Sequence, residues 1–221
     1  MITIRPSIAS ASPLNLEREL DRLGKFRKNV HLDIEDGSYI ESITFGMKTA
    51  RAIAQAVGSP CDVHITANDP LKLIGQAQGM EADALCFHLE LLSHPLEGLS
   101  RIKAQGMRAG LALSFRTPLE CLEMLLGELD YLLLMTAEPD GRGETFHPAS
   151  LKRVARARQL LPPEASIFVD GGIGWEEFPA LLDSGADTVI LGRSVWKTPD
   201  PEETIAKYYA LAQSRGFSCP C

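Results

Sequence analysis

The chain has 221 residues, 45% of them hydrophobic, enough to bury the core of one large domain or two small ones, and no stretch reads as disordered or repetitive. Its 22 basic and 29 acidic residues give a net charge of −7, with no Lys/Arg-rich run and no interleaved aromatics. That balance argues against nucleic acid or an anionic membrane as partner, and any anionic ligand must be held by local features such as backbone amides.

The N-terminus lacks a basic segment followed by a long apolar one, and no apolar run approaches a bilayer span. The expectation is a soluble, cytosolic protein. An odd count of five cysteines suits reduced thiols. Cys219-Pro220-Cys221 lacks further ligands at zinc spacing and reads as a silent tail, frayed from about residue 216.

In chain order, short β-rich segments alternate with amphipathic helical ones. Strands are predicted near 3–8, 30–34, 62–66, 84–88, 108–113, 131–135, 166–170 and 188–191. Between them fall helices at 47–57, 70–79, 119–126, 148–160 and 175–183, with another from 201 to the tail. Pro70, Pro118 and Pro148 suit first-turn positions; Gly58, Gly79, Gly106 and Gly185 punctuate helix ends. Eight βα units without a long break predict one α/β domain over residues 1–221, a (β/α)8 TIM barrel. A doubly wound open sheet is disfavoured, since no G-x-G-x-x-G follows the first strand.

Barrel active sites lie at the C-terminal ends of the strands, so those ends are where chemistry must be sought. The second strand supplies His31 and Asp33, which alternation places on one face, the third supplies His64, and the seventh supplies Asp170. Such a His2Asp2 set suits one divalent metal ion, Zn, Fe(II), Mn or Co. Asp33 and Asp170 would approach an axial substrate from opposite sides, which suits inversion of a carbon centre: one removes a proton and the other returns one to the opposite face. The metal would act as Lewis acid toward an enediolate. Gly171-Gly172 after the seventh strand and Gly192-Arg193-Ser194 after the eighth suit phosphate binding through backbone amides.

The motifs PSIASA at 6–11, HLDIEDG at 31–37, ITFG at 43–46, DVH at 62–64, FHLE at 87–90, RTP at 116–118, MT at 135–136 and VDGGI at 169–173 together resemble ribulose-phosphate 3-epimerase and its relatives acting on ketohexose phosphates. The resemblance implies that His31, Asp33, His64 and Asp170 bind metal, with Asp33 and Asp170 also the acid/base pair. Ser7 would touch the sugar hydroxyls or the site floor. Gly143, Gly171, Gly172, Gly192, Arg193 and Ser194 would hold the phosphate. It further implies a phosphorylated ketose as substrate and a homo-oligomer.

The chain departs from the family pattern at three places. Thr66 stands where a methionine is usual, Ser114-Phe115-Arg116 precede Thr117-Pro118, and residues 138–144 read EPDGRGE, which resembles a divergent branch of sugar-phosphate epimerases. Thr66, Glu138, Asp140 and Arg142 are candidate specificity residues; the last three alternatively form a solvated lid. His88 is expected to buttress the ligand shell, His94 and His147 to be exposed helix starts, and Trp175 and Trp196 to pack helices. Two other readings stay open. A metal-free barrel lyase would need a strand-end lysine, and none is offered; an inactive phosphosugar-binding regulator would not need both aspartates and both histidines.

Overall fold

Alternation along each strand decides what reaches the axis of the molecule. In the computed structural model, which describes residues 1–58, 60–139 and 145–220, β2 (Val30–Glu35) sends Val30, Leu32 and Ile34 outward into the main apolar core. His31, Asp33 and Glu35 take the other face. β3 (Cys61–Thr66) repeats the pattern: Cys61, Val63 and Ile65 join the outer core, and Asp62, His64 and Thr66 turn inward.

The remaining strands are β1 (Thr3–Pro6), β4 (Ala84–His88), β5 (Arg108–Leu113), β6 (Tyr131–Met135), β7 (Ser166–Asp170) and β8 (Thr188–Leu191). All pairings are parallel, in the order β1-β8-β7-β6-β5-β4-β3-β2. Between the two ends of that order, β1 and β2 meet through a parallel bridge from Ser7 to His31, so the barrel closes beside its candidate site. Its interior holds a second apolar cluster of Ala84, Cys86, Ala112, Tyr131, Leu133, Met135, Phe168 and Ile190. Gly110 makes room for it, because a Cβ there would lie 2.4 Å from the Tyr131 ring.

The helices are α1 (Leu16–Arg22), α2 (Met47–Val57), α3 (Pro70–Gln76), α4 (Pro95–Lys103), α5 (Ala149–Leu160), α6 (Phe178–Asp183), α7 (Arg193–Trp196) and α8 (Pro201–Ser214). In α2, Met47, Ala50, Ile53, Ala54 and Val57 form the buried stripe, and Gly58 at φ 69° ends it. Asp69 caps α3 by accepting from the Lys72 amide at 3.2 Å, and Asp200 caps α8 by accepting from the Glu203 amide at 2.9 Å.

Three expectations need correction. The helix expected at 119–126 is instead two 3-10 turns, Leu119–Leu122 and Leu126–Glu128. Leu119, Leu122 and Leu125 are buried at a spacing of three, the period of a 3-10 turn. A helix expected from 175 begins only at Phe178. The segment after α8, expected to fray, is tied back: the Ser218 carbonyl accepts from the Ile2 amide at 2.7 Å, and Phe217 packs against the core. Among the described residues, no helix is long and apolar enough to cross a membrane.

Candidate active site

The register of β2 against β3 stacks the inward side chains in three rows: His31 beside Asp62, Asp33 beside His64, and Glu35 beside Thr66. Asp170 joins them from the end of β7. One ligand atom from each of His31, Asp33, His64 and Asp170 lies within 4.8 Å of every other. His31 Nε2 is 3.0 Å from Asp33 Oδ1 and 3.9 Å from Asp170 Oδ2, and His64 Nδ1 is 3.1 Å from Asp33 Oδ1. Two imidazoles and two carboxylates converging from three strands can hold a divalent ion.

Charge around this cluster is set from below. His31 Nδ1 lies 2.7 Å from Asp62 Oδ2, and Asp62 also accepts from Arg5, which pairs with Asp83 as well. Burial lowers His31, but Asp62 and Asp33 outweigh it and hold the imidazole well above the ordinary histidine range. Burial raises Asp33, and His31 and His64 reverse that to hold its carboxyl well below the usual range. Asp62 is lowered against burial by His31 and Arg5. His64, with weaker support from Asp33, is brought down to about 4 by burial, helped by the nearby His88.

These states fit a metal. The Nδ1–H of His31 is fixed on a carboxylate and its Nε2 faces two more, the arrangement that orients a metal-binding imidazole. His64 is neutral at pH 7 and Asp33 ionised, as ligands must be. The positive charge on His31 between Asp33 and Asp170 is the charge a bound ion would supply in its place.

A cavity of about 300 Å³ opens above the cluster. Of the residues picked out from sequence, Ser7, Asp33, His64, Thr66, His88, Asp170, Gly172, Gly192, Arg193 and Ser194 line it. His31 sits behind that wall, fully buried. Ser7 donates to Asp33 Oδ2 at 2.6 Å and is pinned by its own carbonyl, which accepts from Trp196 Nε1 at 2.6 Å. Gly171 is not a lining residue; at φ 115° a Cβ there would lie 2.8 Å from the Ala137 amide. Glu138 lies in an outer vestibule, 4.0 Å from exposed Arg116, a pair worth little in water. Asp140, Arg142 and Gly143 fall outside the described residues.

Sequence reasoning gave no role to Arg5, Asp62 or Tyr39, and it placed neither Glu35 nor Ser114, which it met only as a departure from the family pattern, on the cavity wall. Asp62 and Glu35 had a usable signal, each two residues from a ligand on the same strand face. Ser114 had only its departure from the family pattern, and Tyr39, brought from a different loop, had none.

A sequence profile of the Ribulose-phosphate 3 epimerase family matches residues 3–196. Among similar proteins, the ribulose-phosphate 3-epimerase of Bacillus subtilis is 30% identical over 212 residues, covering 94% of this chain and 98% of the relative. That of Eremothecium gossypii is 33% identical, covering 92% and 90%. Solved structures of like shape include orotidine 5'-phosphate decarboxylase from Pyrococcus horikoshii, at TM-score 0.68 and 14% identity over 97% of this chain and 100% of that one. Another is a mutant tryptophan synthase α-subunit from Pyrococcus furiosus, at TM-score 0.69 and 15% identity over 98% of each chain. At such identities these two establish the barrel fold alone. Fold, site and relatives together define an isomerase, a sugar-phosphate epimerase built on a TIM barrel. The chain belongs to the ribulose-phosphate 3-epimerase family.

Proposed function

We propose that the protein inverts C3 of a phosphorylated ketose, a pentulose 5-phosphate or a hexulose 6-phosphate, by proton transfer between two aspartates through an enediolate. The observation that carries this reading is the convergence of Asp33 and Asp170 with both histidines, three of the four residues lining one cavity and His31 directly behind it. Asp33, ionised and oriented by the Ser7 hydroxyl, takes the C3 proton from one face. Asp170, from β7 on another side of the mouth, returns a proton to the opposite face. His31, Asp33, His64 and Asp170 would hold a divalent ion, which would supply Lewis acidity to stabilise the enediolate.

The phosphate belongs at the loops after β7 and β8, where Gly172, Gly192, Arg193 and Ser194 line the same cavity and where barrels commonly bind phosphate. A Cβ at Gly192 would lie 2.5 Å from Ser10 Oγ, so glycine there keeps the β8 loop close to the β1 loop. The cavity is large enough for a sugar phosphate of this size. The test is to incubate metal-loaded protein with pentulose 5-phosphates and hexulose 6-phosphates and follow C3 epimer interconversion by NMR. Conversion of at least one, abolished in Asp170→Asn, is the expected result; no conversion of any would refute the reading.

A further inference from the structure

Across the mouth from the glycine loops, the cavity ends in a wall that the steps above leave unused. His88 closes β4, is 3% exposed, and lines the cavity with Tyr39, Thr66 and Ser114. Its Nδ1 lies 3.3 Å from Glu90 Oε2 and 3.2 Å from Ser114 Oγ. The Tyr39 hydroxyl is 2.7 Å from the same Ser114 Oγ, and the Tyr39 and His88 ring centroids are 5.0 Å apart. Glu90 also accepts from the Ser114 amide at 2.8 Å and from the Thr117 hydroxyl. Burial opposes the charge on Glu90, but the hydrogen bonds from His88, Thr117 and Ser114 bring it down to about 2.

An ionised carboxylate only accepts hydrogen bonds. Nδ1 of His88 therefore carries its hydrogen toward Glu90, and with the ring hydrogen placed there Nε2 is an acceptor. The hydrogen bonds of His88 to described residues run through Nδ1 and His88 lines the cavity, so Nε2 is the ring nitrogen that a ligand there can engage. The sheet order puts β4 four strands from β8 in a ring of eight. His88 thus stands opposite Gly192 and Ser194, with the metal-ligand cluster between.

A ketose phosphate with its phosphate at the β8 loop and C3 at the two aspartates sends C2 and C1 toward β4. Of the oxygens there, the C2 carbonyl has no hydrogen to give to an acceptor, whereas the C1 hydroxyl has. Resting on the epimerase reading above, we propose that His88 Nε2 accepts a hydrogen bond from the C1 hydroxyl of the substrate. Glu90 and Ser114 fix the tautomer, and the Tyr39 ring packs against it. His88 is then a substrate-binding residue, and the enzyme selects ketose phosphates that carry a free C1 hydroxyl.

The experiment compares kcat/KM for a ketose phosphate that the wild type epimerises with kcat/KM for its 1-deoxy counterpart, in wild type, His88→Ala and Glu90→Gln. A buried acceptor left without its donor should make the wild type prefer the hydroxylated substrate about 10- to 100-fold. In His88→Ala the preference should fall to within about threefold of unity. Because that change opens space in the wall, Glu90→Gln supplies a second arm: without the carboxylate the tautomer is no longer fixed, and the preference should fall, though less than in His88→Ala, without a lost ring. A wild type with no preference, or a preference unchanged in both variants, overturns the assignment while leaving the epimerase reading intact. A wild type that epimerises no ketose phosphate overturns both.

Discussion

Asp62 never reaches the cavity, yet the charge on His31 depends on it. Held between His31 and Arg5 with no exposure, it fixes which imidazole nitrogen is left for a metal. Replacing it with asparagine keeps the shape and removes the charge; divalent metal binding should weaken about 10- to 100-fold, measured by competition with a chelator. Glu90 carries the pH dependence at this scale. Its folded value of about 2 lies below the usual 4.5, so its contribution is fully present above about pH 4.5 and is lost as pH falls toward 2. After allowance for its partial exposure, which screens the interaction, Glu90→Gln should cost about 1 to 2 kcal/mol at pH 7. Urea melts of the two proteins should converge between pH 5 and 2; a gap that stays constant with pH would contradict this. The residues of the candidate cluster were legible in sequence because a strand's two-residue period puts His31 with Asp33 on one face and His64 at the matching place on the next strand. Arg5 was not, since its partners Asp62 and Asp83 lie 57 and 78 residues away.

At the scale of elements, the end of β7 is where local geometry bears most directly on chemistry. Asp170 is followed by Gly171 at φ 115° and Gly172 at φ 67°, and Thr136 binds this turn by donating from its hydroxyl to the Gly171 carbonyl at 2.5 Å. Gly171→Ala meets both a conformation that L-residues avoid and a backbone amide 2.8 Å away. It should destabilise by about 2 kcal/mol or more and lower turnover by shifting Asp170, read by urea melts and kcat; a variant with wild-type stability and rate would show that the turn tolerates a side chain. The strands were readable because each is a short, largely apolar run set off from the helical segments beside it. The first helix, α1, was missed because its only buried residues are Glu19 and Leu20, too narrow a stripe to register as a period. Arg153, which donates to the carbonyls of Ser114, Phe115 and Thr117, organises the β5 loop that carries Ser114. No spacing in sequence announces that tertiary role.

For the molecule as a whole, ring closure brings residues from β1, β2, β3, β7 and β8 to one mouth, with the β8 loop and His88 at opposite edges. Motif order made the family legible, because the motifs fall on strands and on the loops that follow them, and strand order fixes their positions in the ring. The identity of the sugar was not legible in the same way. It depends on how side chains from separate loops, such as Tyr39 and Ser114, meet across the mouth. The account's central claim is that Asp33 and Asp170 work on opposite faces of one carbon. Its most direct test is epimerisation in D2O with deuterium at C3 followed by NMR over the first turnovers, starting from each epimer. Two opposed bases predict deuterium in the product before it accumulates in the remaining substrate. Carry-over of the original hydrogen into the product, or equal early labelling of both epimers, would contradict the account.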